Sequence, residues 1–142
     1  MESMSRDQLD TLFKEYETAF DKLDVKTISG YCADNFISAG PKGSISQSRI
    51  DYEKKAEQTN KFYKSIGRNS ARIVSKRVMP ISNNYSMVVV RWGITFDQTG
   101  NKITEFDMSY IIQETGDDPK IILLIKHEDE EITIKKLGLR TK

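Results

Sequence analysis

The sequence has few residues of the kinds that form covalent cross-links or metal sites. Of its 142 residues, one is cysteine, one is histidine and three are proline. A single cysteine, Cys32, excludes an intramolecular disulfide framework, and without a CxxC pair there is no zinc-finger pattern. A protein of this composition fits a reducing compartment, so we expect it in the cytoplasm.

Net charge and long apolar runs are also lacking. Lysine and arginine number 22, and aspartate and glutamate number 21, so no net field favours nucleic acid or an anionic membrane as a partner. The N-terminus lacks the apolar core of a signal peptide, and no run approaches the roughly 20 apolar residues of a membrane span. We expect one soluble domain over residues 1–142.

Two helices are predicted near the N-terminus. From Ser5 to Leu23, apolar and aromatic residues recur every three or four positions, and Ser5 begins a capping-box pattern. A shorter helix is predicted in "DVKTISGYCADNF", with Asp24 as its cap and Cys32 on its apolar side. Such a buried thiol would be inert.

A third helix is predicted between a cap at Ser46 or Ser48 and a stop at Gly67. After it the sequence changes to β-branched and aromatic segments separated by turn residues, which predicts an antiparallel meander of four strands. Pro80 indicates an edge or a bulge in the first of them. The strands are predicted at 71–82, 85–96, 103–114 and 120–127. Helices followed by a sheet predict an α+β fold.

Two of these strands are apolar on both faces. In "YSMVVVRWGITF", Met87 and Val89 have one parity and Val88 and Val90 the other, and "KIILLIKH" has apolar residues at both parities. Because the three helices can cover only one face, the other face needs a second cover. The pattern therefore predicts a homodimer through the outer face of the sheet; ordinary surface hydrophobicity is the alternative.

The C-terminal segment is ambiguous. Residues 129–137 alternate like a strand but also have an acidic start and a glycine stop, and we favour a helix. His127 precedes this acidic run, but the spacing matches no metal-ligand template. No glycine-rich phosphate loop is present, since "GPKGS" lacks the required spacing. We predict no metal and no cofactor.

The order of elements and the segment "KEYETAFDKLDVKTISGYCADNFISAGP" resemble the nuclear transport factor 2-like superfamily, which includes ketosteroid isomerases, SnoaL-type polyketide cyclases and scytalone dehydratase. "FDMSYIIQETGDDPKII" looks like the superfamily's penultimate hairpin. The resemblance covers nearly the whole chain. It implies a cystatin-like cone, in which a strongly bent antiparallel sheet wraps three N-terminal helices, with an apolar pocket at the open end and commonly a dimer through the outer sheet face.

The resemblance also identifies catalytic positions. The tyrosine that donates a hydrogen bond in the isomerase pattern falls on Tyr16, whereas the aspartate base falls on Gly40, which cannot accept a proton. Asp107, in the apolar strand segment "EFDMSYII", is the leading substitute for the base. Arg91 could bind an acidic group of a ligand or pair with Asp107 or Glu105 on an adjacent strand, and a cross-strand ion pair is the default interpretation.

Aromatic residues provide the predicted pocket lining, and strand parity favours Trp92 and Tyr110 among them without deciding which parity faces inward. The predicted lining residues are Tyr16, Phe20, Tyr31, Phe62, Trp92 and Tyr110. Three functions remain open. We favour a homodimer that binds a small apolar molecule; the alternatives are an isomerase, cyclase or dehydratase acting on a carbonyl compound with Asp107 and Tyr16, and a protein-interaction module.

Overall fold

The structure is a computed structural model that describes residues 6–115 and 118–140, so the predicted cap at Ser5 lies outside the described residues. It has the predicted α+β architecture. In chain order the elements are α1 (Arg6–Asp21), α2 (Val25–Gly30), β1 (Cys32–Gly40), β2 (Gly43–Ser48), α3 (Arg49–Ser65), β3 (Arg68–Pro80), β4 (Tyr85–Phe96), a short 3-10 helix (Asp97–Thr99), β5 (Ile103–Gln113), β6 (Lys120–Lys126) and α4 (Glu130–Leu137).

The strands form one bent sheet in the order β2-β1-β6-β5-β4-β3. Strands β3 to β6 are the predicted antiparallel meander, and β3, which ends at Pro80, is an edge strand as expected. The prediction of four strands was wrong by one hairpin, since β1 and β2 form a further antiparallel pair. Strand β1 joins the meander by parallel pairing with β6.

The missed hairpin changes the place of Cys32. Helix α2 ends at Gly30, and Cys32 begins β1, where it pairs with Ile121 of β6. The expectation that Cys32 lies on a helix was therefore wrong, although the thiol is fully buried as expected. Only Cys32 and Phe36 among the residues of β1 are buried. The sequence of this strand therefore shows little alternation of apolar and polar residues.

Side-chain caps define the helix ends. Asp24 accepts a hydrogen bond from the backbone N–H of Thr27 at the start of α2, and Ser48 accepts one from Asp51 at the start of α3. The cap of α3 is thus Ser48, whereas Ser46 lies within β2. The ambiguous C-terminal segment is a helix, as we favoured, and Gly138 ends it in the left-handed conformation with φ 69°.

The core lies between helices α1 to α3 and the inner face of the sheet. The parity of β4 that faces inward is that of Val88, Val90 and Trp92, all fully buried. Their neighbours Met87 and Val89 are half-buried on the outer face. None of the helices within residues 6–115 and 118–140 is long and apolar enough to span a membrane.

Helix α1 also protects the edge strand β3. The carboxylate of Glu17 accepts a hydrogen bond from the N–H of Ile73 at 2.6 Å, and that of Asp21 accepts one from Ala71 at 2.9 Å. The two acceptors are four residues apart on the helix and the two donors are two residues apart on the strand. Both separations are about 6 Å, so each carboxylate can reach its own N–H. Backbone donors that would otherwise be free to pair with another chain are thereby occupied.

An apolar row crosses the outer face. Ile37 lies beside Leu123, Leu123 beside Ile111, Ile111 beside Met87 and Met87 beside Met79, so five strands contribute one residue each. The side chain of Ile37 is 43% exposed and the other four are half-buried. We call these five residues the outer row.

Candidate functional site

A cavity of about 540 Å³ lies between the helices and the inner face of the sheet. One face of α3 forms a wall, because its cavity-lining residues recur at helical spacing: Tyr52, Ala56, Thr59, Asn60 and Tyr63. The sheet contributes Ile94, Phe106, Met108 and Leu124. The interior is therefore mainly apolar and aromatic, as small-molecule sites usually are.

Helix α1 closes the inner end of the cavity with Tyr16 and Phe20. Phe20 stacks on Trp92 with ring centroids 4.3 Å apart, and Tyr16 packs edge-on against Tyr110 at 5.6 Å. The Trp92 indole N–H donates to the Tyr110 hydroxyl at 3.1 Å, and this hydroxyl contacts the Met108 sulfur at 3.6 Å. These residues form a rigid floor under the cavity.

Tyr16 and Tyr110, in edge-to-face ring contact, are both buried phenols of the floor. Burial raises the pKa of Tyr16 well above its ordinary value, and neighbouring Tyr110 adds to the effect. Burial likewise raises the pKa of Tyr110. Both phenols therefore stay protonated at neutral pH, and Tyr16 is a hydrogen-bond donor rather than a base.

Of the six predicted lining residues, the structure brings two, Tyr16 and Phe20, to the cavity. Trp92 and Tyr110 have inward parity, as favoured, but α1 crosses over them and they are fully buried core residues. Phe62 points away from the cavity, with 43% of its surface exposed.

Tyr31 lies at a separate, more open cavity of about 440 Å³ beside α1. Its hydroxyl donates a hydrogen bond to the carboxylate of Glu15. Burial together with this bond raises the pKa of Tyr31 to about 12. Tyr31 is therefore engaged with α1 and does not extend the main cavity.

Asp107 does not face the cavity. Its strand neighbours Phe106 and Met108 line the cavity, so Asp107 projects from the outer face. There it lies opposite Arg91, whose Nε donates to one carboxylate oxygen at 2.9 Å and whose Nη2 donates to the other at 3.2 Å. The cross-strand ion pair is confirmed. The structure does not bring Asp107 and Tyr16 together, so the isomerase hypothesis lacks its proposed base.

At Gly40 the cavity wall has no side chain. A Cβ atom there would make only ordinary contacts of 3.7 and 3.8 Å with Lys126, so the missing aspartate is not excluded by crowding. Among the described residues that line the cavity, the one carboxylate is Glu130 of α4. It forms an ion pair with Lys126 at 2.8 Å and accepts a hydrogen bond from the Tyr63 hydroxyl.

Sequence reasoning missed Glu130 as a cavity residue because it assigned the acidic run only to the first turn of a helix. That assignment is correct, and α4 also brings Glu130 of this run to the cavity lining. Burial, with a smaller contribution from Glu130, raises the pKa of Tyr63, so this phenol remains the donor in the pair. One feature of the sequence could have indicated a place for Glu130 at the cavity: α4 begins only four residues after the end of β6, a strand that contributes to the inner face of the sheet.

The cysteine and the histidine take no part in the cavity. Burial raises the pKa of Cys32 to about 12, so its thiol stays protonated. The His127 Nε2 lies 2.7 Å from the Ser109 hydroxyl on the outer face. Within the part of the chain that the structure describes, no three metal-ligating side chains cluster.

The bent sheet, the three packed helices and the cavity at the open end define an NTF2-like protein. More specifically, residues 6–129 match the model of the NTF2-like protein family DUF6841, and the chain belongs to this family. The expected resemblance is thereby confirmed. Comparison with the curated proteins finds no sequence match.

Solved structures agree on the fold. An NTF2-like protein of unknown function from Shewanella oneidensis is 18% identical with a TM-score of 0.66, and the match covers 88% of this chain and 100% of that one. The beta subunit of benzoate 1,2-dioxygenase from Burkholderia mallei is 12% identical with a TM-score of 0.67, covering 93% and 95%. A ketosteroid isomerase-like protein from Erwinia carotovora atroseptica is 11% identical with a TM-score of 0.58, covering 83% and 91%. At these identities the likeness extends to the fold alone.

Proposed function

We propose that this protein binds a small apolar molecule in its inner cavity and does not transform it. The observation that carries the proposal is an apolar cavity of about 540 Å³ whose described lining includes the protonated phenol of Tyr16 and, as its one carboxylate, the ion-paired Glu130. This volume lies within the range of small-molecule sites, roughly 300 to 1,000 Å³.

Binding is favoured over catalysis because each carboxylate considered as a base is otherwise engaged. An isomerase, cyclase or dehydratase needs a base beside the reacting carbon. Asp107 is paired with Arg91 on the opposite face, and Glu130 is held by Lys126 and Tyr63. Tyr16 would serve as a hydrogen-bond donor to a polar atom of the bound molecule.

Thermal denaturation with apolar probes tests the proposal. We expect progesterone, 1-naphthol, decanol or decanoate to raise the melting temperature, since a ligand at 100 times its dissociation constant stabilises the native state by about 2.7 kcal/mol. Ala56→Trp fills the cavity from α3 and should abolish the shift. Lys54→Trp, an exposed position on the same helix, should retain it. The proposal fails if no probe stabilises the wild type, or if both variants respond equally.

We also propose that the protein is a cytoplasmic homodimer joined through the outer row. The row supports this because its apolar side chains lie on the face opposite the three N-terminal helices. The central Arg91–Asp107 pair on that face is already satisfied within the chain, which lowers the cost of covering it. The cytoplasmic location is supported by the buried, unpaired Cys32.

A further inference from the structure

Positive charge is concentrated at the inner cavity although the chain as a whole is nearly neutral. The chain has 22 lysines and arginines against 21 aspartates and glutamates. The described cavity lining includes four basic side chains against the single carboxylate of Glu130. The four come from four different parts of the fold: Lys42, Lys55, Arg68 and Lys126. Lys42 and Lys55 are exposed to solvent, whereas Arg68 and Lys126 are half-buried, where a lower dielectric strengthens their effect on a charged ligand.

Two of the four basic side chains are neutralised by α4 and its cap. Lys42 lies 3.2 Å from the Glu131 carboxylate and 3.6 Å from that of Asp129. Lys126 lies 2.8 Å from Glu130. These two lysines hold α4 at the cavity mouth, so their charges are balanced within the protein.

The other two, Lys55 and Arg68, have no ion pair with a carboxylate among the described residues. Arg68 donates to the backbone carbonyls of Phe20 at 2.6 Å and Asp21 at 3.1 Å. The nearby Asp21 carboxylate is already bound by Arg72 at 2.6 Å and by a backbone N–H. The Asp21 carboxylate attracts the Arg68 guanidinium electrostatically, but the two groups form no ion pair.

Arg68 is also partly removed from water. It is half-buried, its guanidinium carbon lies 5.3 Å from the centroid of the Phe20 ring, and Phe20 forms part of the cavity floor. Burial lowers the pKa of Arg68, while Asp21 opposes this effect. A cation in such a place gains from an anionic partner, because burying charge is costly unless the charge is paired.

We propose that the ligand of the inner cavity is an amphipathic acid, whose apolar body lies against Phe20, Phe106 and Met108 and whose anionic group binds Lys55 and Arg68. This inference rests on the proposed binding function and specifies its ligand class. It accounts for two features together, an apolar interior and a basic lining in which Lys55 and Arg68 form no ion pair with a described carboxylate.

Matched probes that differ only in the head group test the inference by isothermal titration calorimetry. We expect decanoate to bind at least about tenfold more tightly than decanol, and 1-naphthoate more tightly than 1-naphthalenemethanol, as for one charge-assisted hydrogen bond. Lys55→Glu should reduce decanoate affinity by about tenfold or more and leave decanol binding unchanged. Lys54→Glu, one residue away and outside the cavity lining, is the matched control and should change neither.

Arg68→Met provides a second variant with the same expected selectivity, and urea unfolding checks that it folds. If decanol binds as tightly as decanoate, the acid class is wrong while the proposed binding function survives. If decanoate binds but Lys55→Glu and Arg68→Met leave its affinity unchanged, the assigned anion site is wrong. If no probe of either pair binds, both the inference and the proposed function fail.

Discussion

At the residue scale, the floor of the cavity depends on the hydroxyl of Tyr110. Tyr110 is fully buried, and its hydroxyl accepts the indole N–H of Trp92 at 3.1 Å and donates to the Met108 sulfur at 3.6 Å. A buried donor that loses its acceptor pays the cost of desolvation without compensation. The hydroxyl therefore holds the indole of Trp92, on which the cavity residue Phe20 stacks.

Removing this hydroxyl should destabilise the protein. Tyr110→Phe leaves the indole N–H of Trp92 without its acceptor, and we expect a loss of about 1–3 kcal/mol in the free energy of unfolding. Urea denaturation measures it. Tyr85→Phe is the control, because Tyr85 accepts a bond from Gln113 where both residues are only partly buried and water can replace it. If both substitutions lower the free energy of unfolding by the same small amount, the Tyr110 hydroxyl does not have the structural role assigned to it.

Strand parity and helical spacing explain how far individual residues could be predicted. Parity favoured Trp92 and Tyr110 as lining residues without deciding which parity faces inward, and the structure buries both in the core. The path of α1 across the sheet separates core residues from cavity residues, and this path is a tertiary feature. Phe62 was taken as lining from its aromatic character alone. The helical spacing of Tyr52, Ala56, Thr59 and Tyr63 defines the face of α3 that lines the cavity. Phe62 does not fall on this face, so the helical period excludes it from the lining.

At the element scale, the contact between α1 and β3 gives the stability a dependence on pH. Burial by itself would raise the pKa of Asp21, but its bonds from the Ala71 N–H and Arg72 outweigh this and lower the pKa. A carboxyl whose pKa is lower in the folded state than when unfolded, where it is about 3.9, stabilises the fold above that value. This contribution disappears as the pH falls through the lower, folded value.

We therefore expect Asp21→Asn to be less stable than the wild type at pH 7, with the difference narrowing as the pH falls below about 4. Urea midpoints measured across this range give the two curves. Asp118→Asn is the control, because the Asp118 side chain is 86% exposed and its ion pair with Lys120 is long, at 3.8 Å. If the urea midpoints of Asp21→Asn and the wild type differ by the same amount at all pH values, the charge of the Asp21 carboxylate does not stabilise the contact between α1 and β3.

The elements that were predicted and those that were missed differ in how much they bury. The meander β3 to β6 has long β-branched and aromatic runs, and the helices have caps at Asp24, Ser48 and Asp129, so both are recognisable from local pattern. Strand β2 has one buried residue, Gln47, and is stabilised by pairing with β1. Such a strand depends on long-range contacts and leaves little periodicity in the sequence.

At the scale of the whole molecule, the two faces of the sheet have different covers. The inner face is covered by α1, α2 and α3, whereas the outer row remains partly exposed along five strands. The sequence predicted a two-faced sheet because residues such as Met87 and Leu123 interrupt the expected alternation of apolar and polar residues. In the structure Ile111 of β5 lies between them. The register shows that these three residues are cross-strand neighbours, so a second copy could bury them as one continuous surface.

If the outer row joins two copies, charge placed in it should separate them. We expect the wild type to have twice the chain mass by light scattering at micromolar concentration, and Ile111→Lys to have the monomer mass, because a buried unpaired ammonium is costly. Ile37→Lys is a second variant. It should disturb folding less, because Ile37 is 43% exposed. Ile81→Lys is the control, since Ile81 is 59% exposed in the turn after β3 and outside the row. A monomeric wild type, or lysine variants that stay dimeric while circular dichroism shows them folded, would exclude this surface as the dimer interface.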